Sequence, residues 1–225
     1  MKKKLIYVLG GYIYENYADW ILPLGFKLTS NPKEADVLLF AGGADVNPIY
    51  YNDECGVYTN YDNQRDIYEI NVFNFFPDKK KLGICRGHQL LSVLSFPKKA
   101  KLIQHSIHPH FHPIKTFDKQ ELIFNSLHHQ QVLFENKYTG LKEGLDYKLF
   151  GWADNISEIH WGGDDKNYDL PNDYKEIEIS YIPKTKVLSF QNHPEMMLYS
   201  RKNKEVSRTI NFCEKLFLDF MDDNL

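Results

Sequence analysis

Four short apolar runs, at residues 5–9, 36–41, 81–84 and 186–191, alternate with helical patterns, and this constrains the chain more than any other feature. Such alternation is the signature of α/β layering around a largely parallel sheet. Trp20, Ile21 and Leu24 follow the first run. From Asp62 a helical period appears in Ile67, Ile70 and Phe73 and ends at Pro77, and Leu90, Leu91 and Leu94 start another helix. Beyond Ser200, Val206, Ile210, Cys213, Phe217 and Phe220 recur at three- and four-residue spacing, which predicts a C-terminal helix packing that stripe on the sheet. Residues 101–180 are more polar and hairpin-like, with an exposed excursion around Gly162-Gly163-Asp164-Asp165. No repeat or Gly/Ser/Pro-rich linker divides the 225 residues, so one domain over residues 1–225 is expected.

Charge narrows the partners. A net charge of −3 lacks the basic surplus that tracking nucleic-acid phosphates requires. No apolar run approaches the roughly 20 residues that span a bilayer, so no membrane partner is expected. The basic start before residues 5–9 resembles a signal peptide, but Gly10-Gly11 and Glu15 follow without a small-residue cleavage site. Three cysteines, Cys55, Cys85 and Cys213, form an odd, widely spaced set, which fits a reducing, cytoplasmic setting better than a disulfide framework.

The chemistry concentrates in Leu82-Gly83-Ile84-Cys85-Arg86-Gly87-His88-Gln89, a strand that breaks at a cysteine and restarts as a helix. A thiol at a helix N-terminus sits at the positive end of the macrodipole, which favours the attacking thiolate. As in a serine elbow, the residue after the nucleophile, here Arg86, offers its N–H to an oxyanion. Gly87 lets the helix approach the strand closely. Taken alone, Cys85 also reads as a buried core thiol. Gly42-Gly43-Ala44-Asp45 ends a second strand where open α/β sheets bind ligands, and Gly43 N–H can supply a second oxyanion donor. After the last run, His193-Pro194-Glu195 delivers an imidazole with a carboxylate behind it, able to move a proton to a leaving amine.

Together, Cys85-Arg86-Gly87-His88-Gln89, Gly42-Gly43-Ala44-Asp45 and His193-Pro194-Glu195 resemble the class I (triad) glutamine amidotransferase superfamily. Within it, Gly43-Ala44-Asp45-Val46-Asn47-Pro48 before Tyr50-Tyr51, Asn125-Ser126-Leu127-His128-His129-Gln130, and Arg65-Asp66 with Glu69 resemble the γ-glutamyl hydrolase (peptidase C26) branch, which includes γ-glutamyl-γ-aminobutyrate hydrolase. The resemblance implies a flavodoxin-like three-layer α/β sandwich with a central, mostly parallel sheet. It implies Cys85 as nucleophile, His193 as general base and acid, Glu195 as orienter, and an oxyanion hole from the Gly43 and Arg86 amides. Gln89 and His128 match positions that hold the substrate's glutamyl group. The implied reaction is hydrolysis of a γ-glutamyl amide through a γ-glutamyl thioester, on a small-molecule substrate with a small amine or phosphoramidate leaving group, and without a cofactor or metal.

Three departures stand out. Phe96-Pro97-Lys98-Lys99 replaces the usual Gly-Gly after the elbow helix, Asn192 replaces an aromatic residue before His193, and the excursion at 162–174 has no counterpart and is placed to cover the pocket. His105, His108, His110 and His112 suggest a polar loop near the site mouth more than a zinc site. Cys213 reads as core and Cys55 as a loop residue without a base beside it. Two other functions compete with a free-standing hydrolase: a glutaminase subunit passing ammonia to a separate synthetase partner, and a silent binding protein on the same fold.

Overall fold

The computed structural model describes residues 3–10, 14–105, 110–134, 136–154, 160–163 and 167–225. The chain begins with β1 (Leu5–Leu9), α1 (Tyr14–Ile21), the short β2 (Lys27–Leu28) and β3 (Val37–Phe40). Helix α2 (Asn63–Phe75) precedes β4 (Lys80–Ile84), which runs directly into α3 (Arg86–Ser95). The middle holds β5 (Lys101–His105), β6 (Phe111–Thr116), β7 (Glu121–Asn125), β8 (Gln130–Leu133), the single turn α4 (Asn136–Thr139), β9 (Lys148–Asp154) and β10 (His160–Trp161). It ends with β11 (Lys175–Ile182), β12 (Val187–Phe190), the short α5 (Pro194–Met197) and α6 (Lys204–Met221).

Among the described residues one sheet has nine strands in the order β2-β1-β3-β4-β12-β11-β9-β6-β7. The pairs from β2 to β12 are parallel, and those from β12 outward are antiparallel. A smaller antiparallel sheet runs β10-β5-β8. The apolar runs read as strands become β1, β3, β4 and β12; β1, β3 and β12 carry side chains into two cores, one on each face, and β4 places Leu82 and Ile84 in the first. On one face Trp20 and Ile21 of α1 meet Cys213, Phe217 and Phe220 of α6. On the other, Val72 and Phe73 of α2 meet Leu90 and Leu91 of α3. The result is a three-layer α/β sandwich, as the sequence implied. No helix among the described residues is long and apolar enough to cross a membrane.

Helix α2 departs from its apolar pattern. Ile67 is exposed at 47%, and the buried face is Arg65, Asp66, Glu69, Val72 and Phe73. The cause is ionic: the Arg86 side chain, buried beneath α2, pairs with both Asp66 and Glu69, so charged residues take the inward face. Two of the histidines expected in a polar loop lie on strands instead. His105 ends β5 and His112 lies in β6, in different sheets, and His112 is buried 3.0 Å from Glu178. His108 lies outside the described residues, and no group of three or more metal-ligating side chains occurs among those described.

The contact that sets α3 on the sheet involves two glycines. An ideal Cβ on Gly87 would lie 1.9 Å from the Phe40 carbonyl oxygen, and one on Gly83 would lie 2.8 Å from the Gly87 backbone. Neither position tolerates a side chain, because the obstacles are backbone atoms. Gly87→Ala is expected to lower the unfolding free energy by about 3 kcal/mol, the upper end of ordinary overpacking costs. Urea unfolding followed by circular dichroism measures this, and a wild-type midpoint would refute the close approach.

Candidate active site

Cys85 stands between β4 and α3 with φ +51° and ψ −108°, a left-handed conformation for a residue with a side chain. Backbone strain of this kind costs about 1–3 kcal/mol and persists only where the surroundings impose it. Here Cys85 N–H donates to the Phe190 carbonyl at 2.7 Å, and its own carbonyl accepts from Gln89 N–H at 3.1 Å as the first turn of α3. The sulfur is thereby held at the carboxyl edge of the parallel strands, where the Gln191 side-chain amide donates to it at 3.8 Å.

The strand beside β4 brings the imidazole. β12 pairs in parallel with β4, Phe190 opposite Ile84, so the segment after it emerges next to Cys85. Pro194 opens α5, where its missing N–H costs no hydrogen bond. That turn returns Glu195 to His193, with Nδ1 and Oε1 2.6 Å apart and both residues buried. Burial by itself lowers the His193 pKa, but charge at the Cys85 sulfur, hydrogen bonding to it, and the Glu195 carboxylate outweigh burial. The imidazole ends well above its ordinary value of 6.5. Asn125, at the end of β7, fixes the backbone here: its Oδ1 accepts from His193 N–H at 3.0 Å and its Nδ2 donates to the His193 carbonyl at 3.2 Å.

The third side of the site is the turn after β3. Gly43 has φ +140°, which side-chain-bearing residues rarely adopt, and a Cβ on Gly42 would lie 2.6 Å from Cε1 of His193. Gly42 N–H donates to the Tyr17 hydroxyl at 2.9 Å. Burial pushes the Tyr17 hydroxyl far up, so it stays protonated at neutral pH. Gly42, Gly43, Cys85, His193 and Glu195, with Asn16, Tyr17, Leu127 and Met196, line one cavity of about 300 Å³. Arg86 lies directly behind, its side chain turned away to α2.

Gln89 and His128 sit elsewhere. Gln89 Nε2 donates to the Gln130 carbonyl at 2.9 Å, and His128 Nδ1 lies 3.0 Å from the same oxygen and 3.0 Å from His105 Nε2. The two converge on Gln130 and neither lines the cavity. None of the described residues of the excursion lines it either. Gly163 donates to Asp53 at 3.2 Å, and Pro171, Asp173 and Tyr174 border a separate cavity of about 560 Å³ that no expected site residue lines. Residues 164–166 lie outside the described set. Cys213 is buried in the core and Cys55 is exposed, as expected. Sequence reasoning missed Tyr17, whose spacing to Trp20 and Ile21 reads as an ordinary core position, and the clamping role of Asn125, which lies inside a stretch that stands out for other reasons.

Residues 28–115 match the model of the Peptidase C26 family, a span that includes Gly43, Cys85, Arg86 and Gln89. No curated protein sequence matches the chain at a significant level. Among solved structures, a Thermoplasma acidophilum protein assigned to GMP synthase as one of its subunits superposes with TM-score 0.57 at 15% identity, over 99% of each chain. PurLQS from Thermotoga maritima superposes with TM-score 0.57 at 13% identity, over 97% of this chain and 100% of that one. Residues 28–115 are thus similar to the Peptidase C26 family, and nearly the whole chain shares the fold of these two solved structures.

Proposed function

We propose that the protein hydrolyses the γ-glutamyl amide bond of a small glutamate conjugate through a γ-glutamyl thioester on Cys85. The observation that carries the reading is the meeting of Cys85, His193 with Glu195, and the Gly42–Gly43 turn at a single cavity. Cys85 sulfur attacks the γ-carbonyl carbon, and the oxygen takes up negative charge toward the amides of Gly43 and Arg86. Tyr17 already accepts the Gly42 N–H, which leaves Gly43 N–H as the donor in that turn. Protonated His193 gives its proton to the leaving nitrogen as the C–N bond breaks. Water then attacks the thioester, passing a proton back through His193, and glutamate and free thiol are restored. A thiol nucleophile with preorganised N–H donors suits this two-step cleavage. Gln89 and His128 meet at the Gln130 carbonyl outside this cavity, so the glutamyl-binding role given to them rests on the resemblance alone.

A second reading, a glutaminase subunit feeding ammonia to a synthetase, is favoured by the names of the structural neighbours, a GMP synthase component and PurLQS. Glutamate release separates the two. L-Glutamine, γ-glutamyl-aminobutyrate, γ-glutamyl-polyamine and γ-glutamyl-phosphoramidate compounds are offered to wild type and to Cys85→Ala. A free-standing hydrolase turns over one conjugate far faster than glutamine and loses the activity in the variant. Preference for glutamine supports the synthetase-linked reading instead.

Proton placement is tested directly by following the His193 ring through a pH titration by NMR. In the wild type the ring stays protonated well above pH 6.5, because the interactions with Cys85 and Glu195 exceed the cost of burial. Cys85→Ser removes the largest of the interactions that raise it, so the midpoint falls. An unchanged midpoint in that variant would refute a thiolate–imidazolium pair.

A further inference from the structure

We infer that a buried charge network on α2 is the positioning device of the oxyanion hole, tying its two donor segments to one carboxylate. The inference rests on the assignment of the Gly43 and Arg86 amides as those donors. Glu69, fully buried, is the hub. Its Oε1 accepts from Arg65 Nε at 2.8 Å, and its Oε2 accepts from Arg86 Nη1. The other Arg86 nitrogen, Nη2, donates to Asp66, whose second oxygen accepts from Asn47 N–H at 3.0 Å. Arg65 in turn donates from Nη2 to the Ala41 carbonyl at 2.8 Å, immediately before the Gly42–Gly43 turn.

Arg65 Nη1 reaches further. Among the described residues it is buried without a hydrogen-bond partner and lies against Gly43, where an ideal Cβ would be 2.2 Å from it. Gly10, with φ +66°, makes the matching space on the other side: a Cβ there would lie 2.2 Å from Arg65 Nε and 2.4 Å from Glu69 Oε1. Two glycines thus cradle the Arg65–Glu69 pair, and the guanidinium forms the floor under the turn that presents Gly43 N–H. Arg86 does the same for its own amide, because a residue whose side chain is fixed at two carboxylates cannot rotate its backbone freely. One carboxylate therefore sets the spacing of two donors that come from different strands.

A buried ion-pair network is weak evidence for added stability, since apolar residues of equal volume serve as well or better. Ordering the donors is what such a network supplies here, and misplacing a reacting group by about 1 Å costs about 10²-fold in rate.

The test uses Glu69→Gln, which cannot accept from both arginines at once, and Arg65→Lys, which keeps the charge but loses the fork that reaches Ala41. Three readouts are taken on folded protein: kcat and KM on the preferred γ-glutamyl amide, hydrolysis of p-nitrophenyl acetate, and alkylation of Cys85 by iodoacetamide. Alkylation needs the thiol but no oxyanion hole. The expected result is a fall of about 10²-fold in kcat for amide and ester, with KM and the alkylation rate changed by less than about twofold. Equal losses in alkylation and hydrolysis would reduce the network to general support of the fold and overturn the inference. Unchanged kcat in both variants would overturn it as well. If the wild type cleaves the ester but no γ-glutamyl amide, the substrate reading fails while the ester data still judge the network. A wild type whose Cys85 alkylates yet hydrolyses neither substrate lacks a working oxyanion hole, which also overturns it.

Discussion

The approach of α3 to the sheet is the constraint on which the site depends. With Gly87 against the Phe40 carbonyl and Gly83 against Gly87, the helix begins one residue after β4 ends, and no loop intervenes to relax the joint. Cys85 absorbs the whole change of direction in its left-handed backbone. A longer connection would remove the strain and with it the fixed place of the sulfur over the strand ends. It would also separate the thiol from the first amides of α3, whose N–H groups are free at a helix N-terminus and favour negative charge nearby.

Strand register carries that precision to the other groups. Phe40 pairs with Gly83, and Gly43 and Arg86 each follow three residues later. Phe190 pairs with Ile84, and His193 follows three residues after it, beside Cys85. Parallel neighbours all end on the same edge of the sheet, so three consecutive strands in space present their following segments side by side. Antiparallel neighbours would send alternate segments to opposite edges. The parallel half of the sheet is thus the half that brings Cys85, His193 and the Gly42–Gly43 turn together, and the antiparallel half adds the Asn125 amide that clamps the His193 backbone and Leu127 on the cavity wall.

Much of this was legible in the residues. Runs apolar at nearly every position became central strands, and the stripe from Val206 to Phe220 became the buried face of α6, because both patterns record burial directly. Cys85, Gly43, His193 and Glu195 were readable because each sits at the end of such a run, where strand ends collect ligands. What stayed illegible depends on pairing over distance. Of the helical period Ile67, Ile70 and Phe73, Phe73 is buried and Ile70 packs against the core while Ile67 is exposed, since nothing local says that Asp66 and Glu69 meet an arginine 17 to 20 residues away. Gln89 and His128 share the Gln130 carbonyl for a similar reason: β8 and α3 are brought together by the fold, not by spacing in the chain.

The ionic face of α2 and the geometry of the donors have one cause. An oxyanion hole drawn from two strands needs its amides held against the pull of the charge they stabilise, and apolar packing is non-directional. Hydrogen bonds to ionised partners are short, directional and strong in a low-dielectric interior. Close to the turn after β3 and the elbow after β4, charged side chains add such support to the neutral hydrogen bonds of Tyr17 and Gln191, and α2 is the helix that carries the carboxylates. Its residues Arg65, Asp66 and Glu69 neutralise Arg86 without importing net charge, because the four side chains sum to zero. A helix that breaks its own amphipathic pattern beside strand ends is thus intelligible as a scaffold for backbone donors, and the ionic face of α2 points to the same cavity that the strand ends define.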